Sequence, residues 1–406
     1  MAILTQTTTT TVTTATLFVP FQHPSGNCVS AVSLSDSRLR DDIFRAYFCA
    51  RSNKRNTSSQ VRFERNLSAN LMSLYQEVKD RRYKPMRSMC FIIRDPVQRE
   101  VFAAAFRDRI IHHYLYNKLE PLFEPAFIFD SYSCRKGKGT LFGIERLEHH
   151  IRSCTRNYHK ECYVLKLDLE GYFMNIDRSI LYEMICSRID KLRLSGSLPE
   201  GFDYDTVIYL LQKVVYLDPT AGCRIKGSLD DWKGLPDSKS LFKARKGCGL
   251  PIGNLTSQLF SNIYLNELDQ FIKRELGFRH YGRYVDDSYL IHGSKEYLLA
   301  SLPLIEDFLW SRLHLRLNHR KVKIYSVDDG VPFLGAVISP YGRALRRRNQ
   351  RRITRNYLDT ICYEADPYAF LAVNNSYAGY LGHFNNLPHN LKDIETVSSL
   401  SIGSVG

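Results

Sequence analysis

Two short runs of strand-forming residues, 280–284 and 288–291, flank Val285-Asp286-Asp287, and far upstream an alternating apolar run from Tyr163 ends in Asp168. Alternation with a period of two requires extended chain. A tight acidic turn between two such runs predicts an antiparallel hairpin. Two adjacent aspartates on a hairpin tip, with a third at the end of a neighbouring strand, can bring three carboxylates together. Aspartate is also an ordinary turn residue, so the tetrapeptide Tyr284-Val-Asp-Asp287 alone would say little; the flanking strands and Asp168 give it weight. Asp177 is read as the cap of a helix beginning at Arg178, and Glu170 as a solvent-facing acid.

Carboxylates are the natural ligands of Mg²⁺, a hard cation that shares its coordination with water and phosphate oxygens. Two such ions roughly 3.5 to 4 Å apart can activate an oxygen nucleophile and neutralise a pyrophosphate leaving group. The acidic constellation therefore points to nucleotidyl transfer, with Asp168, Asp286 and Asp287 as catalytic and metal-binding residues.

Elsewhere, Phe63, Leu67, Leu71, Leu74 and Val78 recur at steps of three and four, predicting one amphipathic helix over 61–81. Residues 90–93 and 99–102 read as short strands around Asp95-Pro96, followed by a helix containing Ile110, Ile111, Tyr114 and Leu115. Residues 191–249, rich in Gly, Pro, Ser and charge, read as an insertion or extended loop. Leu255, Leu259, Ile263, Leu268, Phe271 and Ile272 mark the buried stripe of a long helix that starts at a Gly-Asn turn. The segment from Tyr341 onward is the most basic of the chain, with Arg343, Arg346, Arg347, Arg348, Arg351, Arg352 and Arg355 before the first acid, Asp359.

The 406 residues, 44% of them hydrophobic, suffice for a large core in two or three lobes. An excess of 56 Lys and Arg over 42 Asp and Glu, a formal charge of +14, fits a polyanionic partner, although charge alone does not separate that from a merely soluble surface. The ten cysteines are scattered, with no CxxC pair and no zinc-like spacing, and are read as reduced thiols of a cytoplasmic protein. The Thr-rich start lacks the features of a signal peptide and is expected to be a flexible tail. No run reaches the roughly 18 apolar residues of a membrane span.

At this point the residues resemble a reverse transcriptase. Val164-Leu-Lys-Leu-Asp-Leu-Glu-Gly-Tyr-Phe173 is similar to the family's first catalytic motif, Tyr284-Val-Asp-Asp287 to its second and Phe333-Leu-Gly335 to its primer-grip strand. The resemblance covers residues 91–382 and implies an α+β right-hand polymerase fold. Its expected parts are a tail at 1–36, fingers at 37–160, a palm at 161–340 with an insertion at about 190–249, a basic helical thumb at 341–395 and a tail at 396–406. It implies two Mg²⁺ ions, with Mn²⁺ able to substitute, and Leu169 as a further metal-site position. It also implies a nucleotide site made by Arg94, Arg99, Gly171, Tyr172, Phe173, Ile252, Gly253, Gln258 and Lys323. Phe173 would lie under the incoming sugar, where a 2′-hydroxyl collides with it. Lys323 would protonate pyrophosphate, with Lys321 competing for that role. Template and primer would meet Arg135, Lys136, Lys138, Phe333, Leu334, Gly335, Arg346, Arg347 and Arg348. Phosphate contacts of this kind give affinity without reading sequence.

One departure narrows the subfamily. Where most reverse transcriptases carry Gln-Gly-x-x-x-Ser-Pro, this chain has Ile252-Gly-Asn-Leu-Thr-Ser-Gln258. Together with Arg94-Asp-Pro, Asp130-Ser-Tyr-Ser-Cys-Arg-Lys-Gly-Lys-Gly139 and Leu235-Pro-Asp-Ser-Lys-Ser-Leu-Phe242, that form resembles the reverse transcriptases of diversity-generating retroelements. The resemblance implies copying of a template RNA into cDNA with errors at adenine, in company with a small, basic, oligomeric accessory protein. Ile252 removes an amide that could steady the nascent base pair, which would loosen selection. The alternatives are a phage-defence reverse transcriptase, which shares the palm, a catalytically idle RNA-binding scaffold, which the presence of all three aspartates disfavours, and an RNA-dependent RNA polymerase, which the aromatic Phe173 disfavours.

Overall fold

The computed structural model describes residues 31–52, 57–95, 97–363, 375–385 and 387. Its strands, in chain order, are β1 (Met89–Ile93), β2 (Arg99–Ala103), β3 (Tyr163–Leu167), β4 (Arg224–Ile225), β5 (His280–Tyr284), β6 (Asp287–His292), β7 (Lys323–Ser326), β8 (Val331–Phe333), β9 (Ala336–Ser339) and β10 (Gly342–Leu345). They form three sheets, ordered β5-β6-β3-β7, β2-β1-β4 and β10-β9-β8. The four-stranded sheet is antiparallel throughout.

Alternation along β3 buries both faces of that sheet. Leu165 and Leu167 pack on one side with Leu259, Phe260 and Ile263 of the helix Leu255–Gln270. Val164 lies on the other side with Tyr132, Ile144, Leu147, Ile151 and Phe333. Both faces being apolar, the functional groups are left to the strand ends.

The helix predicted over 61–81 is two helices, Ser58–Glu64 and Leu67–Lys79. The chain leaves helical geometry at Asn66 (φ −128°, ψ 54°), and the Asn70 amide donates to the carbonyl of Phe63 across the break at 2.7 Å. Phe63, Leu71, Leu74 and Val78 still face one core, so the apolar period survived an interruption that it could not reveal. The region read as an extended loop contains a further helix, Tyr204–Val215, with Val207, Leu210, Leu211 and Val215 buried. Its cap is Asp203, whose carboxylate accepts from the Thr206 N–H at 3.0 Å.

The cap expected at Asp177 is present: its carboxylate accepts from the N–H groups of Ser179 and Ile180. The apolar stripe from Leu255 runs along a helix that ends at Gln270 and continues as one wider turn, Phe271–Glu275. The first described helix begins at Ala31, inside the segment expected to be a tail. Residues 1–30 and the expected C-terminal tail at 396–406 lie outside the described residues. Among the described residues no helix is long and apolar enough to cross a membrane.

Candidate active site

The hairpin tip is built first by register. Tyr284 pairs with Asp287, so Val285 and Asp286 form a two-residue turn between β5 and β6. Such turns ask for positive φ, and Val285 adopts φ +57°, a conformation a β-branched residue resists. Strain of this kind, of order 1–3 kcal/mol, persists only where the surroundings hold it. Arg283 does so, donating from Nη1 to the Val285 carbonyl at 2.9 Å. Arg283 is itself 1% exposed and forms a two-pronged ion pair with Asp269, Nε to Oδ1 at 2.8 Å and Nη2 to Oδ2 at 2.7 Å. Tyr281 donates to the same carboxylate at 2.7 Å, and Asn262 stands 3.4 Å from Nη1. Asp269 and Asn262 lie on the helix Leu255–Gln270, which therefore grips the acidic tip from behind.

The third carboxylate arrives through β3. Leu167 pairs with Ser288, so Asp168, the next residue, is delivered to the level of Asp287. Lys166, opposite Tyr289, shares that face, and its Nζ stands 2.9 Å from Asp287 Oδ1. Lys321 holds Asp168 in the same way, at 2.9 and 2.8 Å from its two oxygens, while the Asn318 N–H donates to the Asp168 carbonyl at 2.8 Å. Burial, and then the charges of Asp168 and Asp287, push the Asp286 carboxyl up to about 6. Asp287 is also raised, by burial and by Asp168, against the lowering influence of Lys166.

Asp286 and Asp287, both raised by burial and by the neighbouring Asp168 charge, form with it a cluster of three carboxylates. Their hard oxygen donors suit a divalent cation such as Mg²⁺. As the side chains stand, no three His, Cys, Asp or Glu among the described residues close on one point tightly enough to hold an ion alone. Lys321 and Lys166 occupy two of the three carboxylates.

Beyond Asp168 the chain turns sharply at Gly171, where φ is +51° and an added Cβ would sit 2.6 Å from the Ser238 carbonyl oxygen. Tyr172 is turned inward, its hydroxyl donating to the Ser261 carbonyl at 2.8 Å. Phe173 is partly buried against the cluster of Cys90, Phe102, Met174 and Leu241, and Ile252 joins the same cluster. The Phe102 N–H donates to the Ile252 carbonyl at 2.9 Å. Next to it, Gly253 (φ +119°) brings backbone so close to β2 that an added Cβ would lie 2.8 Å from Val101 Cγ1. Phe173 and Ile252, distant in sequence, thus come together, whereas Gln258 is exposed on the first turns of the following helix. Arg94 and Arg99 are exposed at the turn of the β1–β2 hairpin, with Arg94 paired to Asp231 at 2.7 Å.

Of the two lysines considered for the pyrophosphate, Lys321 is the one at the carboxylates; Lys323 is exposed and opposes Lys166 across β3 and β7. Arg135 faces inward. Its guanidinium is only 7% exposed and donates to Glu124 and to the carbonyls of Ile128 and Ser131, so it ties its own loop together. Lys138 bonds the Phe129 carbonyl and lies 4.4 Å from the centre of the Phe129 ring. Burial, then the Arg135 charge, push its ammonium down to about 8. Lys136 is exposed.

Phe333 is buried, its ring centre 5.1 Å from that of Tyr289 and 5.2 Å from Lys166 Nζ, so the end of β8 packs directly behind the acidic cluster. Leu334 and Gly335 form the turn into β9, and the Arg346 N–H returns to the Gly335 carbonyl at 3.0 Å. Arg346, Arg347 and Arg348 are exposed where the helix Arg347–Tyr363 begins. Arg283 and Lys166 escaped the sequence reading. Their only signal was a basic residue within an otherwise strand-like run.

Residues 220–338 match the family model described as "Reverse transcriptase (RNA-dependent DNA polymerase)". Protein YkfC of Escherichia coli (strain K12) is 24% identical over 326 residues, covering 72% of this chain and 75% of that protein. The group II intron-encoded protein LtrA of Lactococcus lactis subsp. cremoris is 23% identical over 205 residues, covering 50% of this chain and 28% of the relative. Among solved structures, apo telomerase from Candida tropicalis aligns with a TM-score of 0.45 at 11% identity, covering 73% of this chain and 52% of that one. Telomerase from Candida albicans with a fragment of telomeric RNA gives 0.45 at 11%, covering 82% and 64%. Residues 220–338 are thus similar to a reverse transcriptase, an RNA-directed DNA polymerase, and the described sheets and helices make an α+β fold.

Proposed function

We propose that this protein copies a template RNA into cDNA within a diversity-generating retroelement, working in the cytoplasm and erring mainly opposite adenine. One observation carries the polymerase chemistry: the β3–β6 register that delivers Asp168 to the Asp286-Asp287 tip. Asp168, Asp286 and Asp287, with Leu169 beside them, would hold two Mg²⁺ ions, which when bound supply charge neutralisation at the phosphates and activation of the primer 3′ oxygen. The protein's own part is positioning. Arg283 and Asp269 fix the hairpin tip, and Phe333 to Gly335 set the floor on which a primer end would rest.

In this reading Phe173 and Ile252 line the nucleotide site from two sides, with Arg94 and Arg99 on the fingers hairpin available to the triphosphate. Lys321 replaces Lys323 as our candidate proton donor to pyrophosphate. Lys136 and the arginines at 346–348 are the candidate phosphate contacts for template and primer, and Arg135 has the role of shaping their loop. The fingers, palm and thumb divide near residues 160 and 340. The expected partners are template RNA, the primer and cDNA duplex, dNTPs and a small basic accessory protein.

The test is primer extension by purified full-length chain on a primed RNA containing runs of adenine, with Mg²⁺ or Mn²⁺, followed by sequencing of the cDNA. Extension by wild type and none by the Asp286→Ala, Asp287→Ala variant is the expected result; no extension by wild type refutes the polymerase reading. Errors spread evenly over the four template bases refute the retroelement part.

A further inference from the structure

The segment between β4 and the helix Leu255–Gln270 is fastened at three places to elements the proposed chemistry uses. Glu100, on β2 and 1% exposed, is the main fastening. Its carboxylate accepts from Trp232 Nε1 at 2.7 Å, Ser240 Oγ at 2.9 Å and the Leu241 N–H at 2.5 Å. All three donors are neutral and all come from the insertion. A second fastening is Gln98, whose amide donates to the carbonyls of Asp231 and Lys233 at 2.8 and 3.2 Å. The third is β4 itself, paired parallel with β1.

Held in this way, residues 237–241 stand between the fingers hairpin and the loop after Asp168. Ser238 closes on Gly171, leaving no room there for a side chain. Leu241 is buried in the cluster that contains Phe102 and Met174 and that Phe173 and Ile252 pack against. The insertion thus shares one apolar cluster with both residues assigned above to nucleotide selection, and the side-chain bonds described for Glu100 and Ser240 go to each other, Trp232 and Leu241 rather than to the three aspartates.

We propose that residues 235–242 are a wall of the nucleotide site and that Glu100 is its latch: the three hydrogen bonds set the separation of Phe173 from Ile252, and with it the tightness of nucleotide selection. Glu100 and Ser240 are positioning residues in this scheme, acting through the aromatic ring and the aliphatic side chain rather than on the reacting atoms. The inference rests on the polymerase reading for the identity of the ligand, a deoxynucleoside triphosphate.

Trp232 and Trp310 are the two tryptophans of the chain, so in a Trp310→Phe background the latch carries its own fluorophore. Full-length protein in that background, bound to primed RNA, is titrated with dATP or ATP in Ca²⁺, and incorporation is then measured in Mg²⁺. Ser240→Ala and Glu100→Gln are expected to raise KM for the correct dNTP about tenfold, the effect of one lost hydrogen bond to a buried charge. They should also narrow the dNTP to NTP preference, with kcat close to the parent. Wild-type Trp232 emission should change on dATP addition, at lower concentration than in the two variants.

Unchanged KM and unchanged sugar preference in both variants overturn the inference, as does equal loss of kcat together with a lower melting temperature, which would mark a purely structural contact. A parent protein that binds dATP with a Trp232 response but extends no primer would sink the polymerase reading and leave the latch standing. A parent protein with no Trp232 response sinks the latch.

Discussion

Removing the buried ion pair behind the acidic tip separates what holds the fold from what aims the carboxylates. Asp269→Asn leaves the Arg283 guanidinium, 1% exposed, without a counter-charge. Breaking a buried pair by deleting one partner costs about 3–5 kcal/mol, so the unfolding free energy from urea titration should fall by that amount. Because the pair is out of solvent, the loss should barely depend on salt. Replacing the ion pair and the tyrosine that bonds it, with Tyr281→Phe, Asp269→Leu and Arg283→Met, removes the charges together and should recover most of that stability. It cannot recover the donor to Val285, whose carbonyl is held at 2.9 Å by Arg283 alone among the bonds described. An unsatisfied group of that kind costs about 1–3 kcal/mol. Since about 1.4 kcal/mol in a barrier is tenfold in rate, the triple variant should bind primed template normally and lose roughly 10- to 100-fold in kcat. A stable triple variant with wild-type kcat would refute the claim that Arg283 aims the turn, and an Asp269→Asn protein as stable as wild type would refute the energetic account of the pair.

Three further outcomes follow from the site. Lys321→Ala should lower single-turnover incorporation about 100-fold, the lower range for a lost general acid, while Lys323→Ala stays within about threefold; equal effects would remove the distinction drawn from the Asp168 contact. Phe173→Val should admit ribonucleotides, read as the ratio of dNTP to NTP incorporation, and an unchanged ratio rejects Phe173 as the sugar gate. Ile252→Gln should reduce misincorporation opposite template adenine, measured by sequencing cDNA from an adenine-rich RNA, and equal error spectra count against Ile252 as the source of infidelity.

What could be read from the residues alone followed the strength of their periodicity. The hairpin and the strand leading to Asp168 combined an extended-chain pattern with a marked end, and the helix after Asp177 was legible from its cap. The helix Tyr204–Val215 had the same apolar spacing at Val207, Leu210, Leu211 and Val215, but it sits among glycines, prolines and charges that dominate the composition of the region. Partnerships were less legible than elements. Nothing near Arg135 in sequence shows that Glu124 will turn its guanidinium inward. Glu100 likewise reads as one more strand charge until Trp232, Ser240 and Leu241 are folded onto it. A side chain's partner over a long loop is a property of tertiary packing, which local pattern does not encode.

The helix Leu255–Gln270 joins two fastenings that look unrelated along the chain. At its start Asn254 accepts from the Ala104 N–H at 3.3 Å, beside the Ile252 contact to β2. Near its end Asp269 clasps Arg283. Sixteen residues of α-helix make a strut roughly 24 Å long that neither stretches nor bends at little cost. The spacing between β2 and the aspartate turn is therefore gauged by a rigid spar inside the molecule, and a surface loop can lengthen or shorten without detuning it.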